Sequence, residues 1–309
     1  MKITIVGPGA MGCLLAAFLS KSKEEIWLLD KNPERAKKIK EQGIKVEGIS
    51  GNWQAKVKVS ADAQEIPAQD LIIIAVKSYD TKDAVKNIKP MLGESTLVLS
   101  LQNGLGNTEI ISELTGQERT MGGITNQAAT LLDTGCVRHA GRGETVLGRM
   151  DGKISAELRS IRELFNKAGL EARISKDIKS ILWSKLIINV AINALTAITR
   201  LNNGRLIEFD PSRKILEEAV NEAVKVAKKK RIKLIYDDPL SKAEAVCEAT
   251  ASNVSSMLQD VLKQRRTEID FINAAVVRHA QSLGIPTPVN TVLTNLVKTI
   301  EASYSLRVG

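Results

Sequence analysis

The chain is poor in aromatic residues, with four Phe, three Tyr and three Trp among 309 residues. Nucleic-acid modules that stack bases need aromatic platforms, so this scarcity argues against a nucleic-acid partner despite a formal net charge of +9. Histidine is scarcer still. His139 and His279 lie far apart, and neither sits beside cysteines or carboxylates at ligand spacing, so no metal site is expected. The three cysteines, Cys13, Cys136 and Cys247, are odd in number and widely spaced. They offer neither a disulfide framework nor a zinc spacing and suit a reducing, cytoplasmic setting. Uninterrupted apolar runs end at about ten residues, where Lys or Asn intrudes, well short of the roughly 20 that span a bilayer. The first six residues run straight into a strand pattern without a charged leader, so neither a secretory signal nor a membrane partner is expected.

A 43% hydrophobic content and this length suit a globular protein of two domains. Much of the basic excess lies in helix-like runs such as Lys225 to Lys233, which reads as a solvated face. Such a surface also raises the on-rate of an anionic cofactor or metabolite.

Lys2 to Val6 reads as a buried strand, followed by Gly7-Pro8-Gly9-Ala10-Met11-Gly12 and an apolar helix through Leu19. This is GxGxxG in its strand-turn-helix context. The first glycine permits a tight turn, the second lets backbone approach a pyrophosphate and the third lets helix pack on strand, with the helix N-terminus facing the phosphates. A second strand, Glu25 to Leu29, ends in Asp30, 18 residues after Gly12, where an acid binds an adenosine ribose. Asp30 fits NADH there, or accepts a hydrogen bond from its own turn; Lys31 beside it is a cation for a 2′-phosphate.

Further strands at Asp70 to Val76 and Thr96 to Leu101 alternate with helix-like segments, the rhythm of a doubly wound parallel sheet. Ile44 to Ser60 reads as a hairpin turning at Ser50-Gly51-Asn52. Ligands of such sheets sit at the strands' carboxyl ends, which here lead into Lys77-Ser78-Tyr79 and Gln102-Asn103-Gly104-Leu105-Gly106-Asn107. Lys77 and Asn103 are candidate cofactor contacts, against surface and turn roles.

From about residue 153 the pattern is helical, apart from a strand at 170–174. Helices are expected at 154–168, 177–199, 211–231, 240–250, 253–283 and 289–304, with prolines near their ends. The fold class is therefore an α/β, Rossmann-type doubly wound parallel sheet over residues 1–172, followed by an all-α domain over 173–309. In the second of these helices, Lys185, Asn189 and Asn193 share one stripe of an otherwise apolar face. A buried ammonium is costly unless paired, so the stripe reads as the wall of a polar cleft. A helix over 253–283 would place 253, 256, 260 and 264 on a stripe, with Thr267 and Glu268 near its continuation. Asn253 and Ser256 read as ligand contacts or N-caps, and Glu268 as a site residue or a partner of Arg265 or Lys263. The apolar stripe of the last helix suits a core or a homodimer interface.

GPGAMG, VKSYDT, LQNGLGN, WSKLIINVAINALTAI, NNG at 202–204, SNVSSMLQDVLKQRRTEIDFINA and GIPTPVNTVL resemble, in order and over the whole chain, the ketopantoate reductase (2-dehydropantoate 2-reductase) family. The resemblance implies reduction of the 2-oxo acid ketopantoate to D-pantoate with NADPH, on the route to pantothenate and coenzyme A. It implies that Lys185 is the catalytic lysine; on chemistry, Glu268 could orient it. Asn189, Asn193, Asn203, Asn253 and Ser256 match substrate contacts, while Gly7 to Gly12, Lys77, Asn103, Ala129 and Glu268 match cofactor contacts; on chemistry, Asn103 could bridge cofactor and substrate. The NADPH-using members carry an arginine near Asp30-Lys31, whereas this chain has an acid followed by a lysine, which keeps NADH open as cofactor. On chemistry alone, Lys185 at an ordinary lysine pKa would hydrogen-bond the ketone oxygen and protonate the developing alkoxide. Two alternatives stand beside this one: a related reductase of another 2-oxo or 3-hydroxy acid, and a dinucleotide-sensing protein without chemistry.

Overall fold

Strand formation starts at the second residue. In the computed structural model, which describes residues 1–306, Lys2–Val6 forms β1 and Ala10–Leu19 forms α1. There follow β2 (Glu25–Leu29), α2 (Pro33–Gln42), β3 (Ile44–Gly48), β4 (Trp53–Ala55), β5 (Lys58–Ser60), β6 (Gln69–Ile74) and α3 (Thr81–Asn87). Next come β7 (Leu92–Ser100), α4 (Asn107–Thr115), β8 (Thr120–Thr125), β9 (Ala128–Asp133), β10 (Cys136–Gly141), β11 (Thr145–Arg149), α5 (Ala156–Lys167) and β12 (Ala172–Ile174). The remaining elements are helical: α6 (Ile178–Thr199), α7 (Asp210–Lys229), α8 (Pro239–Ala249), α9 (Ser256–Leu262), α10 (Asn273–Gln281) and α11 (Pro288–Ala302). These elements form two compact units, Met1–Gln102 with Asn107–Ile178, and Asn103–Gly106 with the chain from Lys179 onward.

In the first unit an eight-stranded sheet runs β12-β11-β8-β7-β6-β1-β2-β5. β1 pairs in parallel with β2 on one side (Thr4 opposite Trp27) and with β6 on the other (Ile5 opposite Ile73). The chain therefore reverses its winding at β1, and the carboxyl ends of β1 and β6 lie side by side at the switch point, where such sheets bind ligands. Ile3, Ile5 and Leu71 to Ile74 have no exposed surface, as expected of strands covered on both faces; each contributes about 1.5–3 kcal/mol by burial. The sheet is mixed rather than all-parallel, because β11 pairs antiparallel with β8.

A second sheet, β4-β3-β10-β9, adds the unexpected strands β10 and β9 to the expected hairpin. The expected hairpin is present as the antiparallel pair β3·β4, with Val46 opposite Trp53, but β5 leaves it to join β2 in the main sheet. Hydrophobic residues from both sheets pack with α1 in one cluster, where Phe18 meets the rings of Trp53 and His139 edge-on. Covered on more than one side, α1 is buried from Gly12 to Leu19, all round the helix.

The second unit is helical apart from short 3-10 turns. A buried polar network ties four of its helices. Glu222 of α7 accepts from the Val289 and Asn290 amides (both 2.9 Å), serving the first turn of α11, and from the Asn290 side chain (2.7 Å). Asn273 of α10 donates to Asn290 Oδ1 (3.0 Å) and to the Val190 carbonyl of α6 (3.3 Å). Asn290 and Asn273 have no exposed surface, so these bonds are made where water cannot replace them. On α7, Lys225, Lys228 and Lys229 lie outside its buried face.

Residues 253–283 do not form one helix. α9 stops at Leu262, and Gln264 takes the left-handed conformation with φ of 50°. Its N–H donates to the Val261 carbonyl and that of Arg265 to the Asp260 carbonyl, the pair of bonds that closes a helix in a Schellman turn. The expected stripe through 253, 256, 260 and 264 is therefore not formed; Asn253 precedes α9, and Glu268 begins the 3-10 turn Ile269–Phe271.

Candidate active site

The turn after β1 is built by glycine. Gly7 has φ of +101°, and a Cβ there would lie 2.6 Å from Val76 Cγ1; at Gly12 it would lie 1.9 Å from the Gly7 carbonyl oxygen. These two glycines let β1, α1 and the end of β6 close on one another. Gly9 differs, since nothing lies within 4 Å of where its Cβ would be. It is the N-cap of α1 and offers no side chain to the helix's first amides. An open cradle of backbone N–H groups at the positive end of a helix fits a pyrophosphate; Ala10 and Met11 add amides to it, while Pro8, which has no N–H, only shapes the turn.

At the end of β2, Asp30 is 1% exposed. Its Oδ1 accepts from the Asn32 amide (3.0 Å) and from Arg35 Nη2 (2.6 Å), and its Oδ2 from Arg35 Nε (2.8 Å). Of the two readings of Asp30, the hydrogen bond to its own turn is present, reinforced by a bidentate arginine that the sequence reading overlooked. The turn presents cations instead: Arg35 is half-exposed, and Lys31 is exposed and bonded to Asp80 at 3.0 Å. The signal for Arg35 lay in its place on the first turn of α2, six residues beyond the end of β2.

Lys77 follows β6 and is half-buried. Around it the strand ends are locked by a buried polar group that lies outside the expected ligand contacts. Gln102 Nε2 donates to the Val76 carbonyl (2.9 Å) and to Thr81 Oγ1 (2.7 Å), and Ser100 Oγ donates to Gln102 Oε1 (2.9 Å). Asn107 Oδ1 accepts from the Thr81 hydroxyl (2.8 Å), and its Nδ2 donates to Ser78 Oγ (3.2 Å). Polar residues flanking both loops, in otherwise apolar surroundings, were the signal for this group. Ala129 is half-buried on β9 and packs against the cluster around α1.

In the second unit the stripe on α6 is present as expected. Lys185 and Asn189 are half-buried, and Asn193 is 5% exposed. Desolvation lowers the Lys185 ammonium pKa to about 8, with the nearby Glu268 carboxylate opposing the shift. Lys185 therefore does not keep the ordinary lysine pKa expected of it. Glu268, 6% exposed, is brought near Lys185 across 83 positions of sequence by the turn after α9.

Helix α6 is anchored near the stripe by Thr196, whose Oγ1 shares a 2.7 Å bond with Ser255 Oγ. Ser255 caps α9 by accepting from the Leu258 amide (3.1 Å). The cap expected at Asn253 or Ser256 thus falls between them, and both of those side chains are exposed. Asn203 is buried; its Nδ2 donates to Thr250 Oγ1 (2.9 Å) and its amide to the Asn253 carbonyl (3.0 Å), while Oδ1 is buried without a partner. Asn103 belongs to this unit as well, with its neighbours through Gly106. Asn103, Lys185, Asn189, Asn193, Asn203, Asn253, Ser256 and Glu268 are all carried by one unit; the glycine loop, Asp30, Lys31, Lys77 and Ala129 are carried by the other. One set suits a polar oxo acid and a proton transfer, the other a dinucleotide.

The family model described as Ketopantoate reductase PanE/ApbA matches residues 3–152, and the one described as its C-terminal part matches residues 177–301. A 2-dehydropantoate 2-reductase of Pyrococcus horikoshii is 37% identical over 304 residues, covering 98% of each chain, and one of Halobacterium salinarum is 34% identical over 299 residues, covering 96% of this chain and 98% of the other. Among solved structures, a PanE/ApbA family ketopantoate reductase from Ralstonia eutropha JMP134 superposes with a TM-score of 0.92 at 34% identity, over 99% of this chain and all of the other. D-mandelate dehydrogenase, in a ternary structure with NADH and anilino(oxo)acetate, superposes with a TM-score of 0.93 at 30% identity over the same shares.

Proposed function

The chain belongs to the ketopantoate reductase family, and from that premise we propose that it reduces ketopantoate to D-pantoate, a step toward pantothenate and coenzyme A, with Lys185 as general acid. The observation that carries the reading is the desolvated ammonium of Lys185 beside Glu268, on a helix that also presents Asn189 and Asn193. A nicotinamide dinucleotide, when bound, supplies the hydride for the carbonyl carbon. Lys185 hydrogen-bonds the ketone oxygen, stabilises the charge developing on it and gives up a proton as the alkoxide forms. With a pKa near 8 the group is mostly charged at neutral pH yet a better proton donor than an ordinary lysine. Glu268 keeps it protonated. Asn103, Asn189, Asn193, Asn203, Asn253 and Ser256 provide amides and a hydroxyl for the substrate's carboxylate and alcohol. A substrate lacking either group would leave polar donors without partners, which gives selectivity.

The dinucleotide is assigned to the glycine loop, with Lys77, Ala129, Asn103 and Glu268 as further contacts and NADPH as the preferred form. Asp30, enclosed by Arg35, has little surface to offer a ribose, whereas Arg35 and Lys31 present positive charge suited to a 2′-phosphate. Initial rates of ketopantoate reduction with NADPH and NADH in parallel test substrate and cofactor together. Replacing Arg35 with Ala should lower kcat/KM with NADPH and spare that with NADH; a wild-type preference for NADH would return the ribose to Asp30 and overturn the NADPH assignment.

A second reading is favoured by the close superposition on D-mandelate dehydrogenase: reduction of a different 2-oxo acid, with an aromatic group in place of the branched hydroxyl-bearing one. A panel that includes phenylglyoxylate separates the two. Higher kcat/KM on that acid than on ketopantoate would favour the second.

A further inference from the structure

We infer that Gly104 is a positioning residue, whose missing side chain seats the loop Asn103–Gly106 on the Phe271 carbonyl and thereby fixes Asn103 relative to Glu268. The Leu105 amide donates to the Phe271 carbonyl at 2.8 Å. A Cβ on Gly104 would lie 2.2 Å from that same oxygen, 2.7 Å from the Phe271 carbonyl carbon and 2.8 Å from its Cβ, and Gly104 has φ of +83°. The obstacle is largely main chain, which cannot swing aside as a side-chain tip does. Gly106 has a similar left-handed φ of +103°, but its Cβ would reach only ordinary contact with the Phe271 ring, at 3.6 Å. Leu105 between them is 6% exposed, so the tip of the loop is anchored by a buried apolar side chain as well as by the hydrogen bond.

The acceptor's position gives the contact its importance. Phe271 closes the 3-10 turn begun by Glu268, and its own N–H donates to the Glu268 carbonyl at 2.9 Å. Two successive main-chain bonds therefore lead from Glu268 through Phe271 to Leu105, the second residue after Asn103. A seat made of main chain transmits little slack, because neither partner has a side-chain torsion to absorb a shift. This explains why the loop groups with the unit that holds Lys185, although it is flanked on both sides by chain of the other unit.

The inference rests on the reductase reading and on Asn103 touching substrate or cofactor. The test is a double-mutant cycle in the full-length protein, measuring kcat/KM on the 2-oxo acid that the wild type reduces best. Gly104→Ala is expected to lower kcat/KM by about 10- to 100-fold, as misplacement of a contact group does. In an Asn103→Ala background the same substitution should have little further effect, because its target is gone. Gly106→Ala, which also puts a side chain on a backbone of positive φ but meets only ordinary contact, should lose much less. Additive losses in the cycle, or equal losses from Gly104→Ala and Gly106→Ala, would overturn the positioning role while leaving the reductase reading intact. A wild type that reduces no 2-oxo acid would overturn both. If Gly104→Ala fails to fold, Leu105→Gly, which keeps the amide and removes its anchor, enters the same cycle with the same criterion.

Discussion

An ammonium deprived of water gives up its proton more readily, and Lys185 makes this a measurable property of the reaction. Reduction needs the protonated form, so kcat/KM for the oxo acid should fall as pH rises through about 8, and the reverse oxidation should rise through the same region. Glu268 holds the pKa up, so Glu268→Gln should move that limb to lower pH; a limb that stays in place would exclude Glu268 as the partner. The same shift has a sign in stability. The folded pKa lies below the unfolded one, so the charged form is disfavoured by folding, and wild-type stability should rise between pH 8 and the ordinary lysine pKa near 10.4. Lys185→Met should therefore lose turnover while raising Tm at pH 7, and this gain should shrink as pH rises through that window. A lower Tm at pH 7 would show that the ammonium is stabilised by more than Glu268.

Helix ends decide which elements the sequence reveals. The helix expected at 154–168 ends in a Schellman turn at Gly169, and the region expected to be helical to 283 ends in another at Gly284; both glycines take the left-handed conformation, and both are visible as stop signals. At Gln264 the chain makes the same turn without glycine, so the apolar spacing reads on through a break that the backbone makes. The stripe on α6 was legible because its helix is continuous from Ile178 to Thr199. The placement of Glu268 beside Lys185 was legible only by resemblance, since it depends on that hidden turn. Likewise β8 to β11 went unread because short strands such as Thr120–Thr125, with Gly122 and Gly123 inside, lack a clear alternation. A left-handed glutamine carries a conformational cost that glycine does not. Gln264→Gly should stabilise the protein by about 0.5–1 kcal/mol, read as a rise in the denaturant midpoint at unchanged slope; a loss would mean that the glutamine side chain contributes something the turn geometry does not include.

For the molecule as a whole, binding and stability are linked through the unit that carries the glycine loop, to which the dinucleotide is assigned. NADPH at about 100 times its Kd should stabilise the folded chain by about 2.7 kcal/mol, and Gly9→Asp, which puts a carboxylate where the structure leaves open space, should remove most of that gain with little change in the Tm of the free protein. The longest helix has a consequence at this scale too. Apolar runs read one by one suggested nothing near membrane length, yet α6 has 22 residues and a mean hydropathy of 1.7 over its most apolar 18, enough by length and composition to cross a bilayer; 83% of that stretch is instead buried in the protein. A chain emerging from the ribosome, or unfolded by heat, displays the segment before the rest of its unit can cover it. Membrane-insertion machinery would then meet a client apolar enough to engage, and Lys185, the eighth of its 22 residues, discourages acceptance, because a lysine inside such a segment disfavours insertion, by up to about 2.5–3.5 kcal/mol at the centre and less toward the ends. The charge assigned to proton transfer in the finished enzyme thus also guards the unfinished one against being sent to the wrong place.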